Sequence, residues 1–502
     1  MRSQSFFLRA KILDIKTGYP WIAVVHEKDV YRYGLRAGNQ LSLRWREKKT
    51  IITIDVTSTL VKPGEIGLFL EIIKHYEIKP GELLELSVPG KPDSIRAIQK
   101  KLLGKKLSYR EIYSIIFDIV NHRLGEVEIA FFVASAFGKR QFSREEIYYL
   151  TKAMAETGKV FNFGKLVVDK HSTGGLPGNR VTPIVVAIVA SYGICIPKTS
   201  SRAVTSAAGT ADTFEVIAPV TFKSEEVEKI IKKVGACLIW GAEKIAPADE
   251  KIIRVSYGLF LEPYTKMVVS IMAKKVAMGV RYLVLDIPVG PTTKIPHLKQ
   301  ALMVKRLFSY LARRFGIKIR ILIHRAKGPV GQGIGPALEA RDILRVLQQK
   351  SNRPRDLEEK SIWLAGNLLE LIGKAKKGTG SYLARKALVN GNAWKKMQEI
   401  IKAQGGNQNI DSEEVRLGSF TFSVKSKTEG RITSIHNKNL VEICRLLGAP
   451  ENKKAGIYLE KRVGERVKKG EKLFTLFTSS RILLNLALEA LKKIGIYKIK
   501  PL

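Results

Sequence analysis

The spacing of hydrophobic positions predicts strands at the start of this 502-residue chain. Over residues 1–88, apolar and polar positions alternate in segments such as LSLRWREKKTIITIDVT, with turn signals at RAGNQ and KPGE between them. Alternation with a period of two residues is typical of strands that bury one face. We therefore predict a β-rich N-terminal domain over residues 1–88.

Residues 89–164 have the spacing of amphipathic helices instead. Isoleucines of the segment LSYREIYSIIFDIV recur at helical intervals and should share one buried face. They are Ile112, Ile115, Ile116 and Ile119. Ser108 with Glu111, and Ser143 with Glu146, are spaced as capping boxes, in which two residues satisfy the N-terminal backbone amides of a helix. These patterns predict a helical domain.

The remainder of the chain divides into two further regions. Over residues 165–417, strand-like runs (LVVD, RYLVLDIPVG, IKIRILIHRA) alternate with helical ones, which indicates a βα-built domain. Residues 418–502 contain GRITSI, AGIYLEKRVGERVKKGEKLFTLF and turn glycines, and we predict a β-rich C-terminal domain there. The fold class is therefore α/β, with β-rich domains at both ends.

The charge of the chain changes the list of expected ligands. Lys and Arg number 86 and Asp and Glu 46, which gives a formal net charge of +40. A basic patch would indicate nucleic acid, but these charges are spread over the whole chain with only short clusters such as Lys232-Lys233. The pattern favours a basic surface that attracts anionic ligands. A nucleic-acid-binding protein without catalysis is the alternative.

The cysteines and the apolar runs indicate a soluble, cytoplasmic protein. Cys195, Cys237 and Cys444 are far apart and form no CxxC pair, which favours a reducing compartment and no zinc site. Cys195 and Cys237 have apolar neighbours and should be core residues. The longest apolar run, Ile184–Ile196, is much shorter than the roughly 20 residues of a membrane span, and the N-terminus does not have the pattern of a signal peptide.

One short segment combines many hydrogen-bond donors with little side-chain bulk. In VVDKHSTGGLPGNR, residues 167–180, an apolar run ends, polar residues and three glycines follow, and an apolar helical pattern begins. Glycines let an anion approach the main chain, and free backbone amides at a helix start attract it. Lys170 adds a charge, and Ser172 and Thr173 add hydroxyls. The segment predicts a phosphate site, although it is not a Walker A loop; an ordinary strand-to-helix turn is the alternative.

A second segment has a similar composition. KTSSRAVTSAAGTADTFEV, residues 198–216, is rich in small residues and hydroxyls and lies between two apolar runs. Two such loops, one strand–helix unit apart, could face the same anion from two sides. This pairing strengthens the prediction of a phosphate site.

These motifs resemble the thymidine/pyrimidine-nucleoside phosphorylase family. KHSTGG and SSRAVTSAAGTADTFE are followed in order by IAPADEKIIRVS, VVSIMAKKVAMG, LDIPVGPTTK, GQGIGPALEARDIL, NGNAWKKMQEIIKAQGG and KKAGIYLEKRVGERVKKGE. The resemblance runs from about residue 90 to the C-terminus. The N-terminal segment is similar to the extra domain of the long branch, which includes AMP phosphorylase and bacterial relatives described as thymidine phosphorylases.

The resemblance implies a fold and a reaction. The fold is a helical domain hinged to a larger α/β domain, with the chain rejoining the helical domain at about residues 247–278. In the reaction, inorganic phosphate attacks C1′ of thymidine or another pyrimidine nucleoside and releases the base and a pentose 1-phosphate. The alternative substrate is AMP or another nucleoside 5′-monophosphate, which would give ribose 1,5-bisphosphate. No metal or organic cofactor is implied, and a homodimer or larger homo-oligomer is expected.

The resemblance also assigns roles by motif position. Lys170, Ser172, Ser200 and Thr210 match the phosphate ligands, and Thr182 is the substitute for a family serine whose position Pro183 occupies. His171, Ser270 and Lys274 match contacts to the base, with Arg254 as a further candidate. In the AMP branch, the nucleotide contacts map to the following residues. They are Gly175, Ser201, Arg202, Ala203, Val204, Thr205, Ser206, Thr210, Ser270 and Lys294.

The proton donor of the AMP branch is an Asp, and Glu262 stands at that position here. We therefore predict Glu262 and His171 as catalytic residues. For each the alternative is structural, since Glu262 could pair with Lys266 on a helix and His171 could cap the loop. Lys294 could be one more surface lysine. GQGIGP superficially resembles a dinucleotide fingerprint, but no acidic residue is suitably placed, and we expect a structural role.

Overall fold

The computed structural model describes residues 5–18, 21–90, 92–135, 142–203, 206–241, 244–257 and 263–501. The chain forms two compact units. The first contains Met1–Thr157 together with Pro247–Pro263, and the second contains Gly158–Ala246 together with Tyr264–Leu502.

The first unit begins with a closed β-barrel in the order β1-β5-β2-β4-β3-β6. Its strands are β1 (Ser5–Leu13), β2 (Ile22–His26), β3 (Gln40–Trp45), β4 (Lys48–Thr57), β5 (Glu65–Phe69) and β6 (Leu83–Ser87), with helices α1 (Glu27–Arg32) and α2 (Leu70–Tyr76) between them. Phe6, Leu8 and Ala10 alternate with exposed residues along β1 and point into the barrel. The strands predicted from the alternation are present.

Helices follow the barrel in the same unit. They are α3 (Asp93–Leu102), α4 (Tyr109–Val120), α5 (Glu126–Ala134) and α6 (Arg144–Glu156). Both predicted capping boxes are confirmed, at the N-termini of α4 and α6. The four isoleucines predicted to share a face of α4 are fully buried. Glu146 also forms a buried ion pair with Lys101 at 2.8 Å, which ties α6 to α3.

The second unit begins as alternating strands and helices. They are β7 (Val168–Ser172), α7 (Val181–Ala190), β8 (Ile196–Ser200), α8 (Thr210–Phe214), α9 (Ser224–Val234) and β9 (Ala236–Trp240). The chain then returns to the first unit as α10 (Ala248–Tyr257) and comes back as α11 (Tyr264–Ala277), β10 (Tyr282–Val289), α12 (Leu298–Arg314) and β11 (Lys318–Arg325). The segment that belongs to the first unit runs from Pro247 to Pro263. The following helix, α11, packs against α12, and its Lys275 pairs with Asp169 of β7.

Parallel strands bring the two predicted phosphate loops to one edge. The strands β11, β10 and β7 form one parallel sheet, and β8 and β9 form another. A parallel bridge between Val167 and Cys195 places β7 beside β8. In the β7–β10 register, Ser172 lies opposite Asp286. Because parallel strands end at the same edge, the segments that follow β7, β8 and β10 meet there.

The rest of the second unit covers this sheet and builds the C-terminal region. It contains β12 (Gly333–Ile334), α13 (Pro336–Leu347), α14 (Arg355–Leu371), α15 (Gly380–Val389), α16 (Asn392–Ala403) and a 3₁₀ helix at Ser412–Glu414. The C-terminal elements are β13 (Phe420–Lys425), β14 (Gly430–Ile435), α17 (Asn437–Leu446), β15 (Gly456–Leu459), β16 (Arg466–Val467), β17 (Lys472–Thr478), α18 (Arg481–Lys493) and β18 (Tyr497–Lys500). β12 pairs with β15, so a short strand of the α/β region joins a C-terminal sheet.

The core of the second unit surrounds α7, of which all ten residues are buried. Cys237 is fully buried, as predicted, whereas Cys195 is half-buried. Within the described ranges, every helix is too short or too polar to cross a lipid bilayer.

Candidate active site

Lys170 is the buried cation at the end of β7. Its side chain is almost completely buried, and Nζ donates a hydrogen bond to Thr182 Oγ1 at 3.4 Å, at the start of α7. Burial lowers the pKa of Lys170 to about 8, although the negative charge of Asp286 opposes this shift. Two residues predicted to bind phosphate, Lys170 and Thr182, are therefore in contact.

Asp169 lies next to Lys170 and holds two further buried lysines. Its carboxylate pairs with Lys275 at 2.5 Å and with Lys198 at 3.4 Å. Burial alone would raise the pKa of Asp169, but the two lysines hold it below its ordinary value. Burial also lowers the pKa of Lys198 to about 7. Below about pH 7, where Lys198 keeps its proton, this group of two cations and one anion has an excess of positive charge.

The same positive charge acts on His171. Burial, together with the charges of Lys275, Lys198, Lys170 and Lys274, lowers the pKa of His171 well below its ordinary value. The imidazole is therefore neutral at physiological pH. A neutral imidazole has one N–H donor and one nitrogen acceptor, which suits hydrogen bonding to a nucleobase.

Ser172 is held by an acidic residue that the sequence analysis did not select. Its Oγ donates to Asp286 Oδ2 at 2.9 Å. Asp286 is fully buried, contacts His324 Nε2 at 2.7 Å and pairs with Lys360 Nζ at 3.2 Å. Burial would raise the pKa of Asp286, but the His324 hydrogen bond and the charges of Lys360 and Lys170 lower it. The Ser172 hydroxyl can serve a phosphate only if it gives up this bond.

The glycines after Ser172 let another segment approach the loop. Gly174 and Gly175 have φ angles of 86° and 87°, in the left-handed region that glycine adopts without strain. A Cβ on Gly175 would lie 2.3 Å from the Lys294 backbone nitrogen. Lys294 Cδ and Cε lie 3.8 Å from the position of a Cβ on Gly174. The structure thus brings the predicted nucleotide contacts Gly175 and Lys294 together.

Buried hydroxyls gather near the ends of β7 and β8. Thr173 Oγ1, Thr199 Oγ1 and Ser200 Oγ are buried and have no hydrogen-bond partner among the residues that the structure describes. An unsatisfied buried polar group costs about 1–3 kcal/mol. Phosphate oxygens could accept these bonds. Thr210, the remaining predicted phosphate ligand, is half-buried at the start of α8.

The loop after β8 is held by two carboxylates. Asp212 Oδ2 accepts hydrogen bonds from the Ala203 and Gly209 amides, at 2.7 and 2.9 Å. Arg202 donates to Asp212 and makes two bonds to Glu215, and these bonds lower the pKa of Glu215 to about 2. Two further contacts of the loop are local: Ser201 O accepts from the Ala211 amide, and Ser206 Oγ donates to Ala208 O.

Arginines that could receive a second phosphate are engaged within the protein. Arg180 Nε donates to Glu339 at 2.6 Å and to Thr213 at 3.3 Å, and its Nη2 donates to Ala208 O. Arg202 is bound as described and also lies over the Trp240 ring at 4.8 Å. Both guanidiniums therefore stabilise the protein around the site.

The residues predicted to contact the base lie in different parts of the structure. Ser270 and Lys274 are half-buried and four residues apart on α11, so they share one face of that helix. Arg254 belongs to the first unit, where it pairs with Glu126 at 3.2 Å. Glu262, Val204 and Thr205 lie outside the described residues.

Several residues of this site were missed by the sequence analysis. They are Asp169, Lys198, Lys275, Asp286, Lys360 and His324. Asp286 could have been found, because it lies near the end of a strand within LDIPVGPTTK, where a polar residue follows an apolar run. The buried residues Lys198 and Lys275 have no distinguishing sequence pattern, since each is one of many lysines in a basic chain.

The segment GQGIGP is structural, as expected. The Gln332 and Gly333 amides donate to Asp342, and the Gly331 amide donates to Asp356. These amides are therefore not available to a dinucleotide. In the part of the chain that the structure describes, no three His, Cys, Asp or Glu side chains are grouped so that they could hold a metal ion.

Comparisons with known proteins agree with this arrangement. Residues 95–158 match the family model "Glycosyl transferase family, helical bundle domain", and residues 164–295 match its a/b domain. Residues 431–498 match "Pyrimidine nucleoside phosphorylase C-terminal domain". The fold and these matches define an enzyme of the nucleoside phosphorylase type, a glycosyltransferase.

Relatives match over almost the whole chain. An AMP phosphorylase of Methanosarcina acetivorans is 41% identical over 486 residues, which cover 96% of this chain and 94% of that protein. One from Pyrococcus furiosus is 41% identical and covers 98% of this chain and 97% of its own, and one from Thermococcus sibiricus is 42% identical, with 94% and 93% covered. The chain belongs to the pyrimidine nucleoside phosphorylase family, in its long branch.

Proposed function

We propose that this enzyme catalyses the phosphorolysis of a nucleoside 5′-monophosphate, with AMP as the first candidate. An oxygen of inorganic phosphate forms a bond to C1′, and the C1′–N bond breaks. The base leaves with the electron pair of that bond and takes up one proton. The products are free base and ribose 1,5-bisphosphate. The observation that carries the proposal is the 41% identity to an AMP phosphorylase over 96% of this chain.

The attacking phosphate is proposed to bind at the edge where β7 and β8 end. Lys170 supplies a full positive charge in a buried setting, where electrostatic interactions are strong. The unpartnered hydroxyls of Thr173, Thr199 and Ser200 supply donors. Thr210 and the glycine turn are on the same loops. No metal ion or organic cofactor is needed for this chemistry, and inorganic phosphate is the only co-substrate in the proposal.

The departing base is proposed to be stabilised by His171, Ser270 and Lys274. The neutral His171 can donate one hydrogen bond and accept another, and the lysines around it favour negative charge on the base. A carboxylic acid near the base would deliver the proton. We assign this role to Glu262 on the family resemblance.

Lys294 is proposed to bind the 5′-phosphate. Its side chain passes over Gly174, next to the loop that takes the attacking phosphate. Arg180 and Arg202 pair with Glu339 and Glu215, and in this proposal they hold the protein around the site. A charged hydrogen bond to a phosphate contributes about 1.5–3 kcal/mol.

A pyrimidine nucleoside such as thymidine is the second candidate substrate. It is favoured by the KHSTGG motif and by the match of residues 431–498 to the C-terminal domain of pyrimidine nucleoside phosphorylases. A nucleoside has no 5′-phosphate, so Lys294 would have no phosphate group of the substrate to bind. The two candidates therefore differ in their need for this lysine.

A substrate panel tests the proposal. The purified protein is incubated with phosphate and AMP, CMP, UMP, adenosine, uridine or thymidine, and free base is measured. Lys294→Ala is compared with Lys299→Ala, an exposed lysine in the next helix. We expect AMP to be the best substrate and only Lys294→Ala to lose activity on nucleotides, by about 10- to 100-fold. Higher kcat/KM for thymidine, with no effect of Lys294→Ala, would favour the second candidate.

We also propose that the enzyme works in the cytoplasm as a homodimer or larger homo-oligomer. The free thiols of Cys195, Cys237 and Cys444 support a reducing compartment. Light scattering of the purified protein measures the molar mass directly.

A further inference from the structure

Two acidic and two basic side chains form a closed network beside the predicted substrate loop, residues 200–210. Asp212 Oδ1 pairs with Arg202 at 3.1 Å and with Lys453 Nζ at 3.2 Å. Glu215 pairs with the same two cations, at 2.6 and 3.0 Å. Asp212 is 2% exposed, and its other oxygen holds the Ala203 and Gly209 amides. The network therefore holds the loop at Ala203 and at Gly209.

Lys453 differs from the other three members because it comes from the C-terminal region. It lies between α17 and β15, more than 230 residues after Glu215. Its backbone is anchored as well, since Lys453 O accepts a hydrogen bond from the Ala337 amide at the start of α13. The backbone of Lys453 is thus tied to the start of α13, while its ammonium group pairs with Asp212 and Glu215. A flexible surface lysine would not have this anchoring.

We infer that Lys453 is a positioning residue for the substrate loop, which makes the C-terminal region a part of the substrate site. This inference rests on the proposed function, in which the loop binds an anionic substrate. Lys453 does not touch the substrate. It acts through Asp212 and Glu215. Asp212 accepts hydrogen bonds from two loop amides, and both carboxylates pair with Arg202 of the loop.

The charge balance of the network explains why a cation is needed. Asp212 and Glu215 supply two negative charges, and Arg202 and Lys453 supply two positive charges. Without Lys453 the network keeps a net negative charge beside a loop that must accept phosphate groups. That charge repels the anion, and Asp212 loses one of the partners that fix its position.

The test compares the intact wild-type protein with Lys453→Met, Lys453→Arg and the neighbouring control Lys454→Met, whose side chain is exposed. KM and kcat are measured with AMP and phosphate, and the Kd of AMP is measured by calorimetry without phosphate. We expect Lys453→Met to raise KM and Kd by about 10- to 100-fold, the size of a lost charged hydrogen bond, and to change kcat much less. Lys453→Arg should restore most of the affinity, and Lys454→Met should match the wild type.

A double variant separates charge from position. In Lys453→Met/Glu215→Gln the unbalanced negative charge is removed, so we expect part of the lost affinity to return. Unchanged KM and Kd in Lys453→Met would overturn the inference. Equal losses in Lys453→Met and Lys453→Arg, together with a lower Tm in both, would also overturn it, because they would indicate a role in folding alone.

The same measurements distinguish this inference from the proposed function. If the wild type binds AMP but releases no base, the proposed function is wrong, and the Kd comparison still tests Lys453. If the wild type neither binds nor cleaves AMP, both are wrong.

Discussion

Lys170 is the residue with the most direct electrostatic role in the proposed reaction. Its side chain is almost fully buried, and burial of a cation destabilises the folded protein unless a nearby anion offsets the charge. Asp286 provides part of that compensation. A phosphate group bound at the loop would provide more, which is why the residue suits a phosphate site.

Removing this charge should slow phosphorolysis strongly. For Lys170→Ala we expect kcat/KM for phosphate to fall by about 10²–10³, the usual loss for one preorganised electrostatic group. Lys165→Ala, an exposed lysine five residues earlier, is the control and should keep wild-type activity. Normal saturation by phosphate in Lys170→Ala would remove this residue from the phosphate site.

The pKa of Lys170 predicts the alkaline side of the pH profile. Because burial lowers it to about 8 from 10.5, the side chain is charged below about pH 8 and loses its proton above it. In the unfolded chain Lys170 keeps its proton up to its ordinary pKa of 10.5. Burial of the charged side chain therefore destabilises the folded protein below pH 8, and this destabilisation decreases as the pH rises from 8 toward 10.5. We expect kcat/KM for phosphate to fall as pH rises through about 8. Lys170→Arg, which stays charged, should move this decline to higher pH; the same decline in both proteins would contradict the assignment.

At the scale of elements, the site depends on a turn that only glycine fits. Gly175 has a φ of 87° and lies against the Lys294 backbone. Gly193 has a similar φ of 75°, but nothing lies within 4 Å of the position of its Cβ. Both positions have a left-handed backbone conformation, but only at Gly175 does another segment lie against the position that a Cβ would occupy.

This difference defines a matched pair of variants. We expect Gly193→Ala to lose about 1–2 kcal/mol of stability from left-handed strain and to keep its activity. Gly175→Ala has the same strain, and its Cβ must also displace Lys294, so kcat/KM should fall by about 100-fold. Equal activity of the two variants, measured below both melting temperatures, would show that the close approach is not needed.

Structural features that depend only on neighbouring residues were predicted from local sequence patterns. The capping boxes at Ser108 and Ser143 and the strand–loop–helix around Lys170 are set by residues a few positions apart, and the structure contains all of them. The partners of Asp169 and Ser172 could not be predicted in this way. Lys275 is 106 residues from Asp169, and Asp286 is 114 residues from Ser172. Such pairs form only when the parallel strands assemble.

The resemblance predicted more than the periodicity did. KHSTGG and the motifs after it indicated the family, which the relatives confirm. It did not reveal that Arg180 and Arg202 would be engaged by Glu339, Asp212 and Glu215. A sequence shows a basic residue in a loop, but not the carboxylate that packs against it.

At the scale of the whole molecule, the net charge of +40 should assist the binding of anions. Raising the ionic strength from about 10 mM to about 150 mM shortens the Debye length from about 30 Å to about 8 Å. We expect KM for AMP to rise over this range and kcat to change little. KM for uncharged adenosine, measured at saturating phosphate, should rise less; equal changes for both substrates would argue against a role of the overall charge.

The most direct test of the central claim is transfer of ³²P from labelled inorganic phosphate to the sugar. The protein is incubated with AMP and labelled phosphate, and adenine and labelled sugar phosphate are measured over time, with Lys170→Ala alongside. We predict one labelled ribose 1,5-bisphosphate for each adenine released, with base release that depends on phosphate and is strongly reduced in Lys170→Ala. Adenine released without label in the sugar would show hydrolysis, and would contradict phosphorolysis as the reaction of this site.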